Sequence, residues 1–312
     1  MAAEENLRPN VVCLASYFKG NDFLRECKAQ GCRVFLVTRE KTLGEDWARE
    51  SLEDIIVLPD KTTPEIFIRA VEELARRVRV DRVVALEEYD VVTAALAREH
   101  LCLPGMSGST ARLFRDKLAM RARASGSGIR VPDFVSAINY QAVGEYMKRV
   151  PAPWVLKPRS DVSAVGIRKL HHPEEVWRAM EELDRGERQD ERSPYYLLER
   201  FVPGDVYHVD SMVDGWQVRF AGANKYGRPP MEVAHQGGVF ISHTVMHDSE
   251  EEKELFNLNR RLIEALGLER GATHAEFIRG AEDGEFYFLE IAARVGGAYI
   301  AEVLEAATGL NL

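Results

Sequence analysis

The sequence predicts a parallel α/β domain followed by an α+β domain rich in antiparallel strands. Short apolar runs alternate with helical stretches over the first hundred residues, and the pattern changes at Leu103-Pro-Gly-Met-Ser107. An apolar hairpin pattern then closes the strand-rich remainder. Strands alternating with helices wind into a parallel sheet covered on both faces, which makes the first domain Rossmann-like. The expected domains are residues 1–106 and 107–312, and a chain of 312 residues holds about two domains at roughly 150 residues each.

Val11-Val-Cys-Leu-Ala15 reads as a buried strand, and residues 21–30 as a helix stopped by Gly31 before a second strand, Arg33-Val-Phe-Leu-Val37. Ile55-Ile-Val-Leu58 and Arg82-Val-Val-Ala-Leu86 continue the series. Between them Thr63 reads as an N-cap and Pro64 as the first helical residue. Phe67, Ala70, Val71, Leu74 and Val78 then share one buried helical face. The turn Ser16-Tyr-Phe-Lys-Gly20 has one glycine where a pyrophosphate cradle needs three, which argues against NAD or FAD there. A helix over residues 110–124 carries Lys117 and ends at Ser125-Gly-Ser-Gly128. A short helix from about Pro173 turns Trp177 and Met180 to the core, and the charged stretch 184–194 reads as a solvated loop. Ser249 and Glu252 form a capping box for a helix over residues 250–266, stopped by Gly267. Strands at 272–279 and 285–292 flank the turn Ala281-Glu-Asp-Gly284.

Composition narrows the function classes. Hydrophobic residues at 46% and charged residues at 29% are the balance of a folded protein. A net charge of −9 argues against a nucleic-acid partner. No run of 18 apolar residues exists, so no membrane-spanning helix is expected. The acidic start Met1-Ala-Ala-Glu-Glu lacks a secretory pattern, and Cys13, Cys27, Cys32 and Cys102 form no CxxC pair. Both features predict a cytoplasmic protein with reduced, mostly buried thiols.

Three anomalies carry chemistry. Glu276 and Glu290 interrupt the apolar strands of the hairpin. A three-residue loop at 282–284 sets them directly opposite, whereas a two-residue loop shifts them by one register. Two carboxylates ~4–5 Å apart repel by roughly 4 kcal/mol at an effective dielectric of 20. Opposed like charges call for a counter-charge, and Mg²⁺ completed by phosphate oxygens is the natural one. The alternatives are a glutamate facing solvent or pairing with Arg279 or Arg294. Lys157 ends the apolar run Trp154-Val-Leu156 and brings an ammonium to a core edge, unless it snorkels to the surface. The stretch Arg159–Gly166 that follows has the hydroxyls and N–H groups of a phosphate-covering loop. In Leu198-Glu-Arg-Phe-Val-Pro-Gly-Asp205 a strand ends in a bend, leaving Glu199, the Phe201–Val202 backbone and Asp205 to meet a purine edge and ribose hydroxyls. A metalloenzyme built on His235, His243 and His247 is a competing reading, but along a strand His243 and His247 stand too far apart without a third ligand. Lys225–Pro230 reads as a loop, and His208 and Asp210 lie on an alternating strand past the bend.

Taken in order, Arg115-Asp-Lys117, the Trp154–Ile167 run, Leu198–Asp205, His274-Ala-Glu-Phe277 and Leu289-Glu-Ile-Ala-Ala-Arg-Val-Gly-Gly297 resemble the ATP-grasp superfamily, particularly its carboxylate–amine ligases. The first hundred residues resemble the pre-ATP-grasp domain. The resemblance implies ATP clamped between two α+β lobes, with a small lid lobe at about 130–198. It implies that Lys117 and Lys157 bind the ATP phosphates and that Ser163 and Gly166 belong to the lid loop. Glu199, Phe201 and Val202 would meet adenine, and Asp205 the ribose. Glu276 and Glu290 would hold Mg²⁺, or Mn²⁺ in its place. Arg294 would face the transferred phosphate or the substrate carboxylate, making Arg294 and Lys157 the catalytic candidates. The implied reaction activates a small carboxylic acid as an acylphosphate and passes it to an amine, in an enzyme that relatives suggest is a homodimer.

The sequence departs from this pattern in three places. Ala292 stands where the family has a metal-binding Asn, Asp161 and Val162 stand in a loop usually rich in glycine, and the chain stops at Gly309-Leu-Asn-Leu312, soon after the Gly-Gly run, which reads as a truncated gene or a short form. These departures support a second reading, a nucleotide-binding module without ligase activity.

Overall fold

The computed structural model describes residues 8–160, 166–185 and 195–310. The chain divides into two compact units, residues 1–112 and 113–312.

In the first unit, β1 (Asn10–Ala15), β2 (Arg33–Arg39), β3 (Asp54–Leu58) and β4 (Arg82–Ala85) form a parallel sheet in the order β3-β2-β1-β4. The helices are α1 (Asn21–Ala29), α2 (Pro64–Ala75), α3 (Val91–His100) and the short α4 (Gly108–Arg112). Val12, Leu14 and Phe35 pack with Phe67 and Val71 of α2 and Ala94 of α3. Val11, Cys13 and Leu36 pack with Leu24 of α1 and with Trp47. The run in β1 is continuously apolar because the sheet is covered on both faces. Thr63 takes the N-cap position of α2, yet its hydroxyl bonds the Glu65 carboxylate instead of a helix N–H. Cys13 is buried and Cys27 and Cys32 are half-buried, but Cys102 is exposed, against expectation.

The second unit opens with a correction. The helix expected over residues 110–124 is interrupted: the Asp116 carboxylate accepts from the N–H of Leu118 (3.0 Å) and Ala119 (3.3 Å) and caps a new helix, α5 (Lys117–Gly126). Lys117 therefore stands at the first residue of a helix. An antiparallel sheet follows, made of β5 (Phe134–Ser136), β6 (Trp154–Pro158), β7 (Arg168–Leu170) and β8 (Tyr196–Arg200) in the order β5-β8-β6-β7. With α6 (Tyr140–Arg149) and α7 (Pro173–Asp184) it encloses Val143, Trp154, Leu156, Val176 and Met180.

A five-stranded antiparallel sheet completes the unit. Its strands are β9 (Gly204–Asp214), β10 (Gln217–Tyr226), β11 (Ser242–Thr244), β12 (Gly271–Gly280) and β13 (Phe286–Ala292), in the order β11-β10-β9-β12-β13. The short α8 (Pro230–Gln236) precedes β11, α9 (Glu250–Leu266) lies against β9 and β10, and α10 (Ile300–Thr308) follows β13. Ser249 caps α9 by accepting from the Glu252 N–H (3.2 Å), while the Glu252 carboxylate reaches back to the N–H of Asp248 (2.8 Å). Gly267, left-handed at φ 77°, ends the helix.

The hairpin reaches its expected register by an unexpected route. Its turn has four residues, and the pairs Arg279↔Phe286 and Phe277↔Phe288 would on their own set Glu276 against Leu289. A bulge at Leu289 adds one residue and brings Glu276 opposite Glu290. Among the described residues no helix is long and apolar enough to cross a membrane.

Candidate functional site

Both sheets of the second unit line one cavity of about 590 Å³. The strand registers set Glu290, Glu276, His208, Asn224 and Thr244 in a row across the five-stranded sheet, and all five line the cavity. From the other sheet come Lys157 of β6 and Glu199 of β8, whose side chains share a face because Val155 pairs with Glu199 and Lys157 with Leu197.

Lys157 is buried at 5% exposure, so the snorkelling alternative does not hold. Its Nζ lies 2.5 Å from Glu199 Oε1, and Arg121 of α5, fully buried, holds Glu199 Oε2 at 3.0 Å. The Arg121 guanidinium also donates to the Leu289 carbonyl, which anchors it to the bulge. Burial pushes the Lys157 ammonium down to about 8; Glu199 resists that fall and Arg121 adds to it. Burial would raise the Glu199 carboxyl, but Arg121 and Lys157 hold it below the usual carboxylate range.

Glu290 is paired with Lys117 at 3.0 Å, whereas Arg279, one of the alternative partners, bonds Glu251 at 2.8 Å. Burial opposes ionisation of Glu290, yet Lys117 and then Lys157 bring it down to about 2. Glu276 accepts from the Tyr226 hydroxyl at 3.0 Å and lies 3.6 Å from His274 Nε2. Two opposed carboxylates form a hard oxygen donor set, which suits Mg²⁺ with phosphate oxygens and water completing its shell. Ala292, buried and two residues past Glu290, offers no side-chain oxygen. Lys117 beside the N-terminus of α5 adds an ammonium to the positive end of a helix, an arrangement that attracts anions.

Beside the glutamates, along β9 and β12, lies a cluster that the sequence shows only in part. Asp210, fully buried, accepts from His208 Nδ1 (2.6 Å) and His274 Nδ1 (2.8 Å), and His208 Nε2 meets the Ser242 hydroxyl at 2.7 Å. Burial would lower the basicity of His274, but Asp210 more than offsets it and raises the imidazole to about 9. The His208-x-Asp210 spacing on one strand face was a visible signal. Its partner His274 was not, because the β9–β12 pairing joins residues 64 positions apart.

The remaining candidates divide. Phe201, Val202 and Arg294 line the cavity. The Phe201 N–H donates to the Pro153 carbonyl at 3.0 Å and is thus already engaged. Asp205 is corrected: strand alternation turns it away from Val206 and His208, and it pairs with Lys225 at 2.6 Å instead of lining the cavity. Gly166 adopts φ 76° and does not line the cavity, although Ile167 does. Ser163 lies outside the described residues. His243 is exposed on β11 and His247 bonds Glu252 at 3.2 Å, which gives the competing histidine metal reading no support; the side chain of His235 lies outside the described residues.

The ATP-grasp domain family matches residues 150–302, and the ATP-grasp N-terminal domain family matches residues 24–105. An L-arginine-specific L-amino acid ligase from Bacillus subtilis is 23% identical over 285 residues, covering 89% of this chain and 66% of that protein. The chain thus spans just under two thirds of that relative's length. The crystal structure of an L-amino acid ligase from Bacillus licheniformis superposes with a TM-score of 0.78 at 21% identity, covering 97% of this chain and 72% of that one. The biotin carboxylase domain of Hydrogenobacter thermophilus 2-oxoglutarate carboxylase, solved with MgADP, gives 0.75 at 16% identity, covering 96% and 67%.

Proposed function

Because the chain belongs to the ATP-grasp superfamily, we propose that its second unit is an ATP- and Mg²⁺-dependent, ADP-forming ligase joining the carboxylate of one amino acid to an amine. One observation carries the reading: Lys117, Lys157 and Arg294 converge with the opposed Glu276 and Glu290 in a single cavity. Phosphoryl transfer asks a protein chiefly for positioning and charge neutralisation, which this set supplies. Val202, Val206, Ile278 and Leu289 pack together in the cavity lining, which also includes Val155 and Ile167, and this apolar surface suits an adenine ring, with the Val202 N–H as hinge donor. Lys157 and Lys117 take the phosphate oxygens, with Lys117 exchanging its present partner Glu290 for them. Mg²⁺, when held by Glu276 and Glu290, neutralises charge on the phosphates. Arg294 orients the substrate carboxylate, whose oxygen attacks the γ-phosphorus as ADP leaves. The amine nitrogen then attacks the acyl carbon, inorganic phosphate departs with the C–O electron pair, and the nitrogen sheds a proton. Water must be kept from the acylphosphate, and enclosure between two sheets serves that end.

Ala292 favours a second reading, nucleotide binding without acyl transfer. Incubation with MgATP, an amino-acid panel and hydroxylamine separates the two. Ligase activity gives ADP, phosphate and an amino-acid hydroxamate, whereas tight ATP binding with no hydroxamate from any acid leaves the binding module standing.

A further inference from the structure

Resting on the ligase reading, we propose that the cavity selects a carboxyl-donating amino acid with an apolar side chain, received at the β10–β11 edge of the sheet. From β13 towards β11 the floor changes from carboxylates at Glu290 and Glu276 to the neutral amide of Asn224 and hydroxyl of Thr244. Over those last two strands the wall is built from Met231, Phe240, Ile241, Ile300, Val303 and Leu304. Phe240 (55%), Ile241 (53%) and Val303 (56%) are exposed although they line a cavity, so an apolar group entering it removes their surface from water.

The wall is fitted to the sheet. A Cβ at Gly222 of β10 would come within 2.8 Å of Leu304 Cδ2, and one at Gly227 within 3.3 Å of Ile241 Cβ. Glycine at these two positions lets both side chains close on the strand. The Gly227 N–H also donates to the Ile241 carbonyl at 2.8 Å, fixing the segment.

Charged side chains find poor partners at this edge. Among the described residues of the wall Glu232 is the acid, and with its side chain half exposed, 3.9 Å from Arg228, it offers a charged group only a solvent-screened partner. Arg294 is committed to the reacting carboxylate. Strands spaced ~4.8 Å apart put β10 about 10 Å from β12, which leaves room for an aliphatic or aromatic side chain between the glutamates and the wall.

The test measures ADP release and hydroxamate formation with MgATP and hydroxylamine, so the amine is constant and the acid alone varies. Leucine, methionine or phenylalanine should exceed alanine roughly 10-fold or more in kcat/KM, and exceed aspartate, glutamate, lysine and arginine on the order of 100-fold. Ile241→Asp, at a half-exposed position, should lower the ratio of leucine to lysine turnover about 10-fold. A flat ranking, or one led by charged acids, overturns the apolar selection and leaves the ligase reading intact. No ADP release from any acid removes the ligase reading and this inference with it.

Discussion

Replacing Glu199 by glutamine should destabilise the second unit by about 3–5 kcal/mol. The carboxylate is 4% exposed and is shared by two buried cations, Lys157 at 2.5 Å and Arg121 at 3.0 Å. At ~3 Å and an effective dielectric of 20, each contact is worth about 5 kcal/mol of attraction before desolvation is counted. The amide keeps the shape and loses the charge, and removing one member of a buried ionic group characteristically costs about 3–5 kcal/mol. Lys157 has a partial escape: already down at about 8, it sheds its proton more readily once Glu199 is neutral. In the unfolded chain a lysine titrates near 10.4. Wild-type stability thus rises with pH from about 8 to 10.4, where the unfolded state binds more protons, and the variant enters that regime at lower pH. The gap between the two proteins should therefore narrow as pH rises towards 8 and hold steady above it. Urea unfolding, followed through the fluorescence of Trp154, Trp177 and Trp216 in a protein whose first-unit Trp47 is replaced by phenylalanine, reads both effects. A slope of about 2 kcal/mol per molar converts the loss to a midpoint shift of ~1.5–2.5 M. A shift under ~0.5 M, with no pH dependence, would mean that the three groups do not form a buried ionic unit.

Three further outcomes are expected. Lys157→Ala and Glu290→Ala should each lower ATP turnover at least about 100-fold, with a circular dichroism spectrum like that of the wild type because Arg121 still neutralises Glu199; near-normal turnover in either variant removes that residue from the mechanism. The KM for ATP should rise as pH climbs through about 8 and the Lys157 ammonium loses its proton, a dependence that Lys157→Arg should abolish because guanidinium stays charged. Asp210→Asn should cost about 1–3 kcal/mol at pH 6. His274, raised to about 9, contributes its stability below its unfolded value near 6.5 and loses it as pH rises to about 9, so this cost should shrink across that interval; a cost independent of pH would show that His274 is not protonated in the folded chain.

Much of the fold is legible in the sequence because its signals are local. The apolar periodicity of α2, the Ser249 cap and the Gly267 stop each depend on residues within a few positions of one another. The reading fails where a distant partner decides between two local signals. Residues 110–124 carry a continuous helical pattern, but Asp116 is extended, its carboxylate caps a new turn and it also pairs with Arg159 at 2.5 Å. A contact with a residue 43 positions away thus decides where α5 begins, and with it where Lys117 stands.

The site divides along the same line. Glu276 and Glu290 were legible because burying an acid in an apolar strand is costly enough to demand a reason, and their pairing lies within one hairpin. What the sequence hides is which partner meets that cost. Glu199 looks in sequence like an open acceptor at the end of a strand, yet its oxygens belong to Lys157 and to Arg121, an arginine on a helix face that no motif singles out. Asp205 fails for a simpler reason: in a strand, alternation alone decides which face a side chain takes, and a bend at Pro203–Gly204 hides the phase until β9 is paired with β12. Charges buried in sequence-distant elements therefore make the site one electrostatic unit, in which Glu199 sets the charge on Lys157 while Lys117 and Lys157 keep Glu290 ionised. A substitution at any of these residues should alter phosphate binding through the others, and substitutions at Glu199 and Lys157 should accordingly be non-additive in a double-mutant cycle.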